Sequence, residues 1–178
     1  MSKILCLVSL LLLSACVTPE PELVYLPEFD QNMAKKQMEK GKNTIVGSSF
    51  LTTIGGDIKK CSGRIVMLIP ATKYAEKRMN ALYAQNGDGF YIPVSVKHQF
   101  KSVKETDESN YWKFIRKAVC DVDGKFEFEK VGDGSFFVVS SVVWGVVGRN
   151  GIINYYGGGT MLPVTVKNGE TKKIVVTR

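Results

Sequence analysis

A single histidine, His98, serves the whole chain of 178 residues. With one imidazole, no H-x-x-x-H pair of zinc ligands can form, and a Ser-His-Asp unit would have to be built around His98 alone. The G-x-S-x-G turn that presents a nucleophilic serine is absent, so His98 reads as an exposed strand or loop residue. Neither G-x-G-x-x-G nor G-x-x-x-x-G-K-[ST] occurs. Gly157-Gly158-Gly159 lacks the lysine and the following helix of a phosphate loop and reads as a flexible or bulged turn. Long apolar runs are missing too. Ile4–Leu13 is interrupted by Ser9 and is far shorter than the roughly 20 residues that a membrane-spanning helix needs. Acidic residues are fewer than basic ones, 17 against 24, and the formal net charge is +7. A wall or lipid hydrolase would want an acid pair in a cleft; the one close acidic pair in a strong turn is Asp121 and Asp123.

What the N-terminus does have is a leader. Lys3 gives a positive start, and Ile4–Leu13 has the length and flanks of a signal-peptide core. Leu13-Ser14-Ala15-Cys16 follows directly and resembles the bacterial lipoprotein cleavage motif. The resemblance implies removal of residues 1–15 and acyl chains on Cys16, each buried methylene contributing about 0.8 kcal/mol of membrane affinity. Val17 stands where an aspartate would retain such a protein in the inner membrane. The implied location is therefore the outer membrane, facing the periplasm or the cell surface. Export also removes nucleic acid as a partner.

Four cysteines are present. Cys6 would leave with the leader and Cys16 would carry lipid. Cys61 and Cys120 then remain, either bridged in an oxidising compartment or as two buried thiols that never meet; the disulfide is the expectation. Neither lies in a C-x-x-C arrangement, which argues against redox or zinc chemistry.

Residues 16–42 read as a lipidated tether and short helix. Pro19, Pro21 and Pro27 make Val17–Gln31 semi-extended, and Asn32–Lys42 is helix-permissive with a thin apolar face. Lys35, Lys36, Lys40 and Lys42 lie close together, a solvated helix face or a lean toward anionic headgroups and wall polymers. From residue 43 to 178 the signals are those of sheet. Strands are expected over Thr44–Thr53, Cys61–Pro70, Phe90–Phe100 and Tyr111–Cys120, with Trp112 and Phe114 on one face of the last. Lys101–Asn110 reads as polar loop. In Cys61–Pro70, Val66 and Leu68 share one face while Ile65, Met67 and Ile69 share the other, as in a strand covered on both sides. Lys73–Ala84 breaks the series: Ala75, Met79 and Leu82 recur at helical spacing, Thr72 is placed to cap, and Asn86-Gly87 stops the helix.

Asp121–Val139, "DVDGKFEFEKVGDGSFFVV", decides the class. Read as a calcium loop it fails: Lys125 replaces the third ligand, Gly124 arrives two positions early, and Gly132 stands in the place of the bidentate glutamate. Read as sheet it works. Phe126 and Phe128 point one way and Glu127 and Glu129 the other, between Asp123-Gly124 and Gly132-Asp133-Gly134 turns, before the long apolar strand Ser135–Val147. Met161–Val166 and Lys172–Thr177 flank a Lys167-Asn168-Gly169 turn as a closing hairpin. The segment resembles the D-x-x-G-x-F-x-F-x-x-[VL]-x-x-G-x-[FY]-x-[VL] signature of carboxypeptidase-regulatory-like domains. Asp121, Gly124, Phe126, Phe128, Val131, Gly134, Phe136 and Val138 occupy its positions. The resemblance implies a mainly-β fold, a seven-stranded, Greek-key-like β-sandwich of transthyretin or immunoglobulin-like topology, here with a short inserted helix and an N-terminal lipidated tether. Such domains are accessory modules without catalytic residues or cofactors.

The expected function is thus that of a non-enzymatic envelope lipoprotein. Its partners would be the membrane, through the anchor, and an envelope protein or a glycan. A carbohydrate-binding module is the alternative, and a wall or lipid hydrolase a weaker one. The candidate binding residues are aromatics near turns and inserted segments: Tyr74, Tyr83, Tyr155 and Tyr156, with Trp144, Tyr111 and Trp112 as packing or contact residues. No residue is expected to bind metal.

Overall fold

The computed structural model describes residues 22–83, 90–91, 101–104 and 108–178. The leader, Cys16, the Asn86-Gly87 stop, His98 and the expected Phe90–Phe100 strand beyond Tyr91 lie outside the described residues. In chain order the elements are β1 (Glu22–Tyr25), α1 (Gln31–Gln37), β2 (Asn43–Thr52), β3 (Ile58–Lys60), β4 (Ile65–Pro70), α2 (Lys73–Tyr83) and β5 (Phe90–Tyr91). Then come β6 (Lys101–Lys104), α3 (Glu108–Tyr111), β7 (Arg116–Val119), β8 (Lys125–Val131), β9 (Gly134–Val147), β10 (Ile153–Val166) and β11 (Thr171–Val176).

Two sheets face each other in a mainly-β sandwich. One has five strands in the order β5-β10-β9-β4-β7; the other has four, with β2 between β11 on one side and β8 and β3 on the other. Five and four make nine strands where the resemblance implied seven; β3 is a short strand that the alternation signal does not resolve, and β5 falls in the expected Phe90–Phe100 strand. The inner layer is the one the sequence pattern implied. Phe126 and Phe128 are buried with Ile45, Val66, Leu68, Phe136, Val138 and Val166 between the sheets, while Glu127 and Glu129 face water. Cys61 and Cys120 are bridged within this layer, with Cα atoms 5.8 Å apart. Arg116 of β7 reaches across to β8, donating from Nη2 to the Glu129 carbonyl at 2.6 Å.

The five-stranded sheet is covered on its outer face as well. Ile69, Phe137 and Val139 point outward and pack against Tyr74, Ala75 and Met79 of α2. The helix begins where expected: the Thr72 hydroxyl accepts from Ala75 N at 3.2 Å. The same layer buries Leu26, Phe29 and Ala34. Phe29 meets the Tyr74 and Tyr111 rings edge-on at 5.5 and 5.7 Å. The described part of the expected tether is therefore not free chain. It is anchored by aromatic packing, and β1 runs parallel to β6.

Three local expectations are corrected. The polar stretch Lys101–Asn110 contains β6 and the start of α3. The expected strand over Tyr111–Cys120 opens with the end of α3 and a 3₁₀ turn, Trp112–Phe114; only Arg116–Val119 is strand, because Tyr111 and Trp112 are drawn into helical turns under Arg78, whose guanidinium lies 5.4 and 5.1 Å from their rings. The Lys167–Gly169 turn is present, with Asn168 and Gly169 at φ 61 and 76, but its strands do not form a hairpin. β10 belongs to the five-stranded sheet, while β11 crosses to pair in parallel with β2.

Candidate functional site

β9 and β10 pair over 14 residues each, from Gly134↔Val166 to Val147↔Ile153. Their neighbours are much shorter. β4 pairs with β9 only at Phe136–Val139, and β5 with β10 only at Gly159 and Thr160. Beyond those positions, among the described residues, the two strands pair only with each other. They form a two-stranded ribbon whose apex turn is closed by Gly148 N donating to the Ile152 carbonyl at 2.8 Å.

The ribbon is apolar and bare. Val146, Val147, Ile152, Ile153, Tyr155 and Tyr156 are all exposed. From Gly134 to Val166 the single charged residue is Arg149, at the apex. Other strands carry charge at their margins: Lys59 and Lys60 on β3, Arg116 and Lys117 on β7, Lys172 and Lys173 on β11. Such charges keep a sheet edge from pairing with strangers. The ribbon has no such protection.

Alternation assigns its residues to two faces. Trp144 and Tyr156 are directly opposite, on the face that continues the inner layer, and Asn154 and Val146 are the next pair along it. The Trp144 and Tyr156 rings are nearly parallel, 23° between planes and 6.3 Å between centroids. Trp144 is half-buried against the inner core, whereas Tyr156 is 51% exposed. Tyr155, 55% exposed, lies on the other face beside Gly145. Gly157 is not in a turn, as the triple glycine suggested, but inside β10 at φ +96. A Cβ there would run into the Val142 carbonyl and the Trp144 ring, so the glycine makes room for the indole.

The other predicted binding residues fall elsewhere. Tyr74 and Tyr83 are only 1% and 8% exposed, packed in the outer layer beneath α2, and offer no surface for a partner. The inserted segment is read correctly as helix, but its tyrosines face inward because α2 needs them to cover the sheet. Asp121 and Asp123 belong to a turn: Asp121 Oδ1 accepts from the backbone N–H groups of Asp123 and Lys125, each at 2.8 Å, and Asp123 faces Lys60 at 3.3 Å. That is the hydrogen bonding of an Asx turn before a strand.

At the opposite end, an open cleft of about 860 Å³ lies between α1 and the turns at Gly132 and Asn168. Lys36, Lys40 and Lys42 line it together with Glu39 and Asp133. The Asp133 carboxylate already accepts from Asn43 Nδ2 at 2.8 Å and from Asn168 N at 3.1 Å. Asn43 is the residue that sequence reasoning missed. Fully buried, it also donates to the Val131 carbonyl and accepts from Gly169 N and Glu170 N, using both amide hydrogens and both oxygen lone pairs.

No protein-family model matches the sequence, and no curated protein matches it. Solved structures do. A "putative carbohydrate binding protein" of Pseudomonas aeruginosa is similar with a TM-score of 0.67 and 24% identity, covering 86% of this chain and 99% of its own. The likeness is one of fold. The major pilin subunit of Bacillus cereus is matched more loosely, at a TM-score of 0.38 and 13% identity over 78% of this chain and 30% of the pilin. A minor pilin of Streptococcus agalactiae is matched at 0.36 and 12%, over 78% and 44%.

Proposed function

We propose that the chain is a non-enzymatic binding module of the bacterial envelope, held to a membrane by acyl chains on Cys16, that captures a glycan or an envelope protein with the β9–β10 ribbon. The observation that carries this reading is the bare ribbon with its three aromatic rings and Arg149 as its single charge, where β3, β7 and β11 carry lysines and arginines. Surface apolar patches of this kind mark interaction sites. The description of the Pseudomonas aeruginosa neighbour is in keeping with a glycan. So is the D-x-x-G signature, since domains with that pattern serve as accessory modules. Anchoring rests on the Leu13-Ser14-Ala15-Cys16 motif and on the absence of aspartate after it, which favours the outer membrane.

Two measurements test the reading. Mass spectrometry of the processed chain should find Cys16 as its acylated first residue, and Cys16→Ser should release the protein from membranes. A photo-reactive residue at Ile153, in cells, should yield an adduct, whereas the same residue placed at Lys173 on β11, away from the ribbon, should not. A ribbon that crosslinks to nothing and retains no glycan would overturn the proposal.

A further inference from the structure

The geometry points to a neutral polysaccharide as the ligand, laid along one face of the ribbon over Trp144 and Tyr156, with Asn154 as the polar contact. This rests on the proposed binding role of the ribbon and narrows it. Tyr155 and Tyr156 are consecutive in a strand, so they present to opposite sides and cannot act together. The cross-strand pair Trp144–Tyr156 can, because the two rings share one face of the ribbon with their planes only 23° apart. The C–H faces of a pyranose stack on such rings, and its hydroxyls need partners that can both donate and accept. The exposed amide of Asn154, two residues along the same face from Tyr156, is a group of that kind.

Charge selects among glycans. The chain carries a net +7, yet no lysine lies between Gly134 and Val166; α1, α2, β3, β7, β8 and β11 are among the elements that carry them. A polyanion would be drawn to those elements. The Trp144–Tyr156 face offers no charge to an anion, since Arg149 is in the apex turn. Gly157 belongs to the same arrangement: only a residue without Cβ lets the indole lie across β10.

The test is affinity electrophoresis in native gels cast with laminarin, dextran or galactomannan, and with alginate as the anionic probe. At least one neutral polymer should retard the protein, undiminished by high salt. Tyr156→Ala should weaken that retardation roughly tenfold, while Tyr155→Ala leaves it unchanged. Because Trp144 also packs on the core, Trp144→Phe provides a second variant that keeps the fold and should give an intermediate loss. Retardation by alginate alone, lost in salt, would overturn the inference, as would equal losses from Tyr155→Ala and Tyr156→Ala. If no neutral polymer retards the protein but Ile153 crosslinks to an envelope protein, the polysaccharide is excluded and the binding module stands; if neither happens, both fall.

Discussion

The two ends of the sandwich are closed in different ways. At the end where β2 and β9 begin, the buried Asn43 ties the turn at Gly132 to the turn at Gly169 through four hydrogen bonds that satisfy its whole amide. Where β2 finishes, Ser49 N donates to the Gly124 carbonyl and Cys61 N to the Ser49 carbonyl; there the Cys61–Cys120 bridge holds β4 and β7 together, and the ribbon carries β9 and β10 onward with no other strand beside it among the described residues. One end spends its polar groups on itself. The other is held by a covalent bond and leaves its side chains free. The contrast separates residues that hold the fold from residues that are left over for contact, and substitutions at each end should separate the two in experiment.

The largest effect is expected at the covalent lock. Replacing both Cys61 and Cys120 by alanine should cost roughly 4 kcal/mol, the loop-closure entropy of a bridge spanning 59 positions, read as a lower urea midpoint that added reductant no longer changes. At the hydrogen-bonded end, Asn43→Ala should cost about 3 kcal/mol, since it strands buried backbone groups of both turns; glycan or partner capture should be intact. On the outer layer, Thr72→Ala should cost about 1 kcal/mol through the lost cap of α2, with faster hydrogen exchange confined to that helix. The smallest stability effect belongs to Tyr156→Ala, within about 0.5 kcal/mol because the ring is half in water, and yet this variant should lose capture. A protein in which Asn43→Ala abolished capture while still folded, or in which Tyr156→Ala unfolded it, would erase the distinction between the ends.

Much of this was readable before any coordinates. Phe126 and Phe128 alternate with glutamates, and that pattern has one stable outcome, a strand half in and half out of a core. β4, apolar on both sides, announced that its sheet would be covered twice, and α2 announced one of the covers. What was hidden depends on partners distant in sequence. Pro27 and its fellow prolines dominate the local signal around Leu26 and Phe29, and nothing nearby says that Tyr74 and Tyr111 will receive that phenylalanine. Asn43 looks like any asparagine before a strand until two turns more than eighty positions away converge on it. The triple glycine looks like a turn because glycine is usually spent on turns; here a close crossing by Trp144 requires it. The candidate site was half legible. Tyr155 and Tyr156 could be picked out as aromatics near a turn, but their division between faces, and the pairing of Tyr156 with Trp144, follow from the register of β9 and β10.

The parallel pairing of β11 with β2 bears on how the molecule is made. Thr177 Oγ1 reaches the Phe50 carbonyl across 127 positions of chain, and the flank of β2 that β11 occupies has no other strand beside it among the described residues. During synthesis β2 must wait, one side unmatched, until nearly everything after it has been produced. Contacts of such long range make assembly slow. For the exported lipoprotein proposed above, the delay would be an advantage, because the four-stranded layer cannot close before the last strand has come through.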